Sequence, residues 1–132
     1  MDVYKSLTIK STSGNPTDTI VQAKSPDDHV FEVTADYVNI SGFTITGATN
    51  EHGLYLPNAD YCNISKNNIS KNNHGIWMGS SSTNTIIYNS ISSNANGAII
   101  IFEGSNNTIA NNKILDTKQT AIGVSKSNNN TF

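Results

Sequence analysis

The sequence predicts an all-β fold: a right-handed, single-stranded parallel β-helix of about five coils with 22–24 residues each. Three observations support this prediction. Apolar tetrapeptides recur once per coil, apolar residues alternate within each short run, and Asn, Ser and Gly separate the runs. A fixed period of this length is typical of solenoids, alternation places one face of each strand in the core, and Asn, Ser and Gly favour turns.

The first wall of each coil is marked by the apolar tetrapeptide. It occurs at residues 53–56 (GLYL), 75–78 (GIWM), 98–101 (AIII) and 121–124 (AIGV), at intervals of 22, 23 and 23 residues. Parallel strands need a long return path between them. The other two walls of the coil supply that path, which accounts for the interval.

The second and third walls follow at constant distances from the first. Eleven residues after each tetrapeptide begins stands a second apolar anchor, and five residues further stands a third. The second anchors are Ile64, Ile86, Ile109 and Phe132, and the third are Ile69, Ile91 and Ile114. One coil earlier the order is Phe31/Val33, Ile40 and Ile45, and before that Leu7/Ile9 and Ile20/Val21. We therefore expect one domain over residues 1–132, with an incomplete first coil (1–28), an inserted loop (11–19) and regular coils (29–132).

Asparagine recurs in the same phase as the apolar anchors. One predicted corner holds Asn67, Asn89 and Asn112, and another holds Asn72 and Asn94. Stacked amides can bond along the solenoid axis and satisfy the backbone groups of the corners. Cys62 occupies the position of Asn84, Asn107 and Asn130 in later coils, so we expect a half-buried residue at a turn.

Composition excludes several classes of function. The net charge is −2, only 14% of residues are charged, and all eight basic residues are Lys. We therefore expect no nucleic-acid partner. No apolar run approaches the length of a membrane span, so no membrane insertion is expected. A single cysteine excludes an internal disulfide and a cysteine-based zinc cluster.

The coil pattern G-I-x-M…N-T-I…N-x-I…N resembles the β-helix repeat of the carbohydrate-binding and sugar-hydrolase family, which includes the periplasmic copper-binding accessory proteins of nitrous-oxide reductase. The opening stretch, SLTIKSTSGNPTDTIVQAKSPDDHVFEVTADYVNISGFTITG, resembles the first coils of large cell-surface proteins of methanogenic archaea. The resemblance implies an extracellular location at the cell surface. Because a strand-like run begins almost at residue 1 and the chain stops at Thr131-Phe132 in mid-pattern, we also expect the chain to be a piece of a longer protein.

Equivalent positions of successive coils stack above one another, so the outward residues of the first wall predict a surface. One column reads Glu32, Tyr55, Trp77, Ile100 and Gly123, and the column two residues on reads Thr34, Pro57, Gly79, Phe102 and Ser125. Tyr55, Trp77, Ile100 and Phe102 should form an apolar stripe, with Glu32 and Glu103 as polar contacts. Aromatic faces along a groove suit sugar rings. The stripe predicts a contact surface for polysaccharide or for a neighbouring protein domain.

The three histidines occupy one column just before the first wall. His29, His52 and His74 are followed there by Gly97 and Thr120, with Asp28 and Glu51 in the adjacent column. Stacked imidazoles and a carboxylate can share zinc or copper. The alternative is an ordinary polar turn without a cofactor, and both interpretations remain open.

Asp36 and Asp60 also stack, in the matching strings 35–37 (ADY) and 59–61 (ADY). Two carboxylates this close fit a retaining glycosidase or a calcium site. They equally fit aspartates that cap the backbone. The chain lacks the arginine that pectate lyases of this shape use, and no Gly precedes His52-Gly53 or His74-Gly75 as the polygalacturonase motif requires.

We therefore expect a non-catalytic module that serves as a rigid spacer and binding surface. The alternatives are a fragment of a polysaccharide hydrolase or lyase, and a copper- or zinc-binding module. Exposed strand edges at the coil ends also predict end-to-end self-association.

Overall fold

The computed structural model describes all 132 residues, and the chain forms sixteen short strands in three parallel sheets. The first sheet contains β1 (Asp2–Val3), β4 (Phe31–Val33), β7 (His52–Pro57), β10 (His74–Gly79), β13 (Gly97–Phe102) and β16 (Thr120–Ser125). The second contains β2 (Thr8–Lys10), β5 (Asn39–Ser41), β8 (Asn63–Ser65), β11 (Thr85–Ile87) and β14 (Thr108–Ala110). The third contains β3 (Ile20–Gln22), β6 (Thr44–Thr46), β9 (Asn68–Ser70), β12 (Ser90–Ser92) and β15 (Lys113–Leu115).

Every third strand pairs with the equivalent strand of the next coil, and all pairs are parallel. The predicted register is confirmed in each wall. Ile76 pairs with Leu54 on one side and Ile99 on the other, Ile64 pairs with Ile86, and Ile69 pairs with Ile91. The all-β parallel solenoid is therefore confirmed, and it contains no helix long and apolar enough to cross a bilayer.

The core consists of the inward residues of the three walls. The three-residue strands of the second and third sheets turn their central side chain inward, and in the first sheet β4 buries Phe31 and Val33 while β7 and β10 bury Leu54, Leu56, Ile76 and Met78. The largest fully buried side chains are Phe31, Ile40, Ile45, Leu54, Leu56, Ile64, Ile69, Ile76, Met78, Ile86, Ile91 and Ile99. Burying an aliphatic side chain of this size contributes about 1.5–3 kcal/mol. Repetition of such residues accounts for the stability of a coil only 22 or 23 residues long.

Buried asparagines form ladders at the corners, as their phase predicted. The backbone N–H of Asn67 donates to Oδ1 of Asn89 at 3.0 Å, and Nδ2 of Asn67 donates to the same oxygen at 3.2 Å. Asn89 repeats both bonds to Asn112, at 3.0 and 3.1 Å. Asn72 makes the same pair to Asn94. Buried polar groups are costly unless they are paired. In each ladder the side-chain amide of one coil accepts the buried corner N–H groups of the preceding coil.

The first coil departs from the prediction in two details. Val3 lies in a two-residue strand of the first wall that the apolar pattern did not reveal. Ile9 and Val21 pack against the core, whereas Leu7 and Ile20 are exposed. An isolated apolar pair does not define which member faces inward. The connection between β2 and β3 spans residues 11–19, whereas two residues make the equivalent connection in the next coil.

Two further positions differ in exposure from what was expected. Cys62 is 1% exposed and therefore fully buried, not half-buried. It replaces an asparagine whose side chain points into the corner, and its Sγ lies 3.5 Å from the carbonyl oxygen of Ala35. Phe132 keeps its predicted register, since Thr131 bridges to Thr108, but its side chain is exposed.

Candidate functional site

The outward face of the first sheet carries the predicted columns in register. Glu32 pairs with Tyr55, Tyr55 with Trp77, Trp77 with Ile100 and Ile100 with Gly123. Phe102 lies beside Gly79 in the column two residues further along the strand. The outward side chains of this stripe are half-buried, whereas their inward neighbours are fully buried.

The histidine column lies directly against this stripe, which the sequence did not reveal. His52 and Tyr55 both face outward because Gly53 and Leu54, between them, are both buried. The rings of His52 and Trp77 stack with centroids 5.1 Å apart and an interplanar angle of 9°. We call the set formed by His29, His52, His74, Tyr55 and Trp77 the aromatic cluster.

The remaining contacts make the aromatic cluster continuous across three coils. His29 stacks on His52 with centroids 5.0 Å apart and lies 4.5 Å from the ring of Tyr55. His74 meets both His52 and Trp77 edge to face, with centroids 5.1 Å apart in each pair. Aromatic pairs at these separations add to the free energy gained by burial alone. The cluster is therefore a continuous packed surface.

Burial controls the charge of His52 and His74. Loss of hydration, together with the neighbouring imidazoles of His29 and His74, lowers the pKa of His52 from 6.5 to about 3. Burial also lowers the pKa of His74, against the opposing effect of the Glu51 carboxylate. The Nδ1 atoms of His52 and His74 are buried without a hydrogen-bond partner. His52 is therefore neutral near pH 7.

Three predicted metal ligands converge at the N-terminal end of the aromatic cluster. Oε2 of Glu51 lies 3.5 Å from Nδ1 of His29 and 3.9 Å from Nε2 of His52. One ligand atom from each of these three residues lies within 4.8 Å of the other two. The other two predicted ligands, Asp28 and His74, are not part of this group.

Asp28 and Glu32 lie instead at the rim of a cavity of about 600 Å³ beside the first coil, which Asp27, His29 and Lys24 also line. In later coils a partly buried ladder of amides occupies the column in which Glu51 lies. Gln119 donates to Asn96 at 2.8 Å, and Asn96 donates to Asn73. A carboxylate therefore occupies this column only in the earlier coils.

Phe102 and Glu103 share a cation that the sequence analysis did not identify. The Nζ atom of Lys126 lies 5.0 Å from the centre of the Phe102 ring and 3.1 Å from a carboxylate oxygen of Glu103. The stripe thus ends in an exposed ion pair over an aromatic face. The 23-residue offset between Glu103 and Lys126 was the signal that could have found it.

Asp36 and Asp60 stack as predicted, and each carboxylate accepts a backbone hydrogen bond from the next coil. The N–H of Asp60 donates to Asp36 at 2.8 Å, and the N–H of Ser82 donates to Asp60 at 2.6 Å. This is the capping arrangement that the alternative interpretation described.

Two exposed tyrosines beside these aspartates also stack. The rings of Tyr37 and Tyr61 are 4.9 Å apart and within 6° of parallel. Both residues have positive φ, of 59° and 55°, at a corner where later coils carry Thr83, Asn106 and Asn129. Their exposure follows from this left-handed corner geometry, which residue type alone does not indicate.

Cys62 has none of the features of a reactive thiol. Burial raises its pKa above the usual value, and the carboxylates of Asp36 and Asp60 raise it further, although backbone hydrogen bonds act in the opposite direction. A raised pKa keeps the sulfur protonated and unreactive. We therefore assign Cys62 to the core.

These observations define a class: a parallel β-solenoid whose first wall presents an outward aromatic face. The chain belongs to the right-handed β-helix family, because the model of a right-handed β-helix region matches residues 29–132. No curated protein and no solved structure matches the chain. The family establishes the architecture, and function has to be argued from the surface.

Proposed function

We propose that this chain is a non-catalytic β-helix module whose outward stripe of Tyr55, Trp77, Ile100 and Phe102 binds polysaccharide. The observation that carries the proposal is the unbroken register of these residues along the solenoid axis. Parallel strands repeat every 4.7–4.9 Å, so Tyr55 and Trp77 lie at neighbouring levels on one rigid wall. A linear glycan can lie along such a wall with successive rings against successive side chains.

The chemistry of the stripe favours a carbohydrate ligand. Sugar rings present apolar C–H faces to aromatic rings and hydroxyl groups to polar rims, and exposed apolar patches of this kind mark binding surfaces. Glu103, Lys126 and Glu32 flank the stripe as polar contacts. We further propose an extracellular location at the cell surface, where a rigid rod presents this face to glycans.

Trp77 is the only tryptophan, so its fluorescence reports directly on the stripe. We expect titration with a panel of neutral and acidic polysaccharides to change its emission in a saturable way for at least one member. Phe102→Ala should weaken that binding by about tenfold, since a buried aromatic contact contributes on the order of 1–2 kcal/mol.

A matched control is available on another face. Tyr88 is exposed at a corner where the next coil has Asn111, and both residues have positive φ. Tyr88→Asn should therefore leave folding and polysaccharide binding unchanged. The absence of a saturable response across the panel, or equal losses in both variants, would refute glycan binding and leave contact with a neighbouring protein domain as the role of the stripe.

A further inference from the structure

The donor atoms of His29, Glu51 and His52 form a separate group beside the stripe, and glycan binding by the stripe does not use them. His29 immediately precedes Val30, whose backbone N–H donates to the carbonyl of His52 at 3.2 Å. His52 begins β7 and is held against Trp77 by ring stacking. The two imidazoles thus come from successive coils, fixed by the backbone ladder, with Glu51 beside them.

The hydrogen bonds of this group show which atoms carry lone pairs. Nδ1 of His29 accepts the backbone N–H of His52 at 3.3 Å, so this nitrogen holds a lone pair and its proton lies on Nε2. The carboxylate oxygen of Glu51 lies only 3.5 Å from that nitrogen. A cation bound at this nitrogen would replace the long backbone hydrogen bond as the partner of its lone pair and would be neutralised in part by the Glu51 carboxylate.

We propose that His29, Glu51 and His52 bind a zinc ion, with water completing a four-coordinate site. Tetrahedral zinc with bonds of about 2.0–2.1 Å places its ligand atoms about 3.3 Å apart. The measured separations of 3.5 and 3.9 Å are close to this value. One ligand atom from each of the three residues lies within 4.8 Å of the other two, so side-chain rotation, chiefly of the half-exposed Glu51, completes the approach.

The donor set selects the class of metal. Imidazole nitrogens suit zinc and other borderline divalent ions, whereas calcium and magnesium prefer oxygen ligands throughout. Because the ligands come from successive coils, a bound ion clamps these coils together. The inference does not depend on the proposed function, since the stripe binds glycan through other side chains.

The test uses the full chain without a histidine tag, stripped with a chelator and titrated with Zn²⁺ by calorimetry. We expect one ion per chain, with a rise in melting temperature because only the folded chain assembles the ligands. Co²⁺ added in place of Zn²⁺ should give the visible absorption of a four-coordinate site.

Two ligand variants and one control variant separate this site from adventitious binding. Glu51→Gln and His29→Asn remove ligands with little change in volume, and we expect each to lower Zn²⁺ affinity by about tenfold or more. Glu103→Gln makes the same carboxylate-to-amide change outside the group and should change affinity by less than about twofold. Circular dichroism of the metal-free variants checks that all three fold.

Failure of the wild-type chain to bind Zn²⁺ at about 100 μM would overturn the site, a concentration at which even weak coordination is detected. Equal losses in the ligand and control variants would overturn it as well. Neither result bears on glycan binding, which the Trp77 titration measures separately.

Discussion

The N-terminal coils (residues 1–48) and the central coils (residues 49–115) follow the same backbone path but fill their corners differently. In the N-terminal coils the corner positions hold Val38, Phe43 and Ala48, all buried and apolar. In the central coils most of the same positions hold buried asparagines. Phe43 and Ala48 donate their backbone N–H groups to the first amides, Asn67 and Asn72.

The difference indicates two ways of closing a coil. Apolar corners are stabilised by burial, which is not directional and tolerates small displacements. Amide corners require a donor and an acceptor at the correct level of the adjacent coil, so they fix the register of the central part. We expect the central coils to be more sensitive to loss of a polar group than the N-terminal coils.

The largest effect should follow Asn89→Ala. This change deprives the backbone and side chain of Asn67 of their shared acceptor and the carbonyl of Ile64 of its donor. Unsatisfied buried groups cost about 1–3 kcal/mol each, so we expect a loss of roughly 3 kcal/mol in the free energy of unfolding, measured with urea. Asn39→Ala, at an exposed position of the N-terminal coils, should cost less than about 0.5 kcal/mol. Similar costs would remove the contrast between the two regions.

Acid should destabilise the central coils through His52. Its native pKa of about 3 lies below its ordinary 6.5, so the unfolded chain binds a proton that the folded chain refuses. The stability that neutral His52 contributes is therefore fully present above pH 6.5 and is lost as the pH falls toward 3. Between pH 6.5 and pH 5 we expect a loss of roughly 1–2 kcal/mol in chelator-containing buffer.

The variant His52→Phe keeps an aromatic ring among the groups that surround position 52, which are His29, Glu51, Tyr55, His74 and Trp77. Its unfolding free energy should depend less on pH over that range. An unchanged slope would assign the acid sensitivity to other groups.

The wall register was predictable from sequence because inward residues repeat in every coil. The positions of Ile64, Ile86 and Ile109 follow from counting alone, and the structure confirms them. Stacking of His52 on Trp77 was not predictable, because it depends on the two consecutive buried residues that turn His52 outward. The sequence likewise placed Glu51 in the correct column, but the approach of its carboxylate to both imidazoles could not be predicted from the sequence.

A smaller effect, of opposite sign, is expected at the C-terminal end of one ladder. Thr117 follows Asn94 by 23 residues, and its Oγ1 is buried without a hydrogen-bond partner. Thr117→Asn supplies an acceptor for the backbone N–H of Asn94, as Asn94 does for Asn72. We expect a gain of about 1 kcal/mol in unfolding free energy. A loss of stability would indicate that amide ladders do not extend by simple repetition.

The smallest effect is expected for Cys62→Asn, which adds a rung at the other end of a ladder. Asn84 donates to the carbonyl of Ala59 at 3.0 Å, whereas the Sγ atom of Cys62 makes weaker contacts with the carbonyls of Ala35 at 3.5 Å and Asp60 at 3.4 Å. We expect a gain of about 0.5 kcal/mol. Cys62→Ala removes the polar atom altogether and should be less stable than both the wild-type chain and Cys62→Asn. If urea unfolding shows Cys62→Ala to be the most stable of the three, the side chain at position 62 has no polar role at the corner.

The account depends on the coils stacking in register, and disulfide trapping tests this most directly. Ser70 and Ser92 are partners across β9 and β12 and face outward, whereas the partner of Ser90 is Asn68. In-register Cα atoms of adjacent strands lie about 4.8 Å apart, and Cα atoms offset by two residues lie about 8 Å apart. A disulfide requires a Cα–Cα distance below about 7 Å. In the Cys62→Asn background, mass spectrometry after mild oxidation should find the disulfide in the Ser70→Cys/Ser92→Cys chain and not in Ser70→Cys/Ser90→Cys. Equal trapping in both chains, or trapping only in the second, would contradict the register.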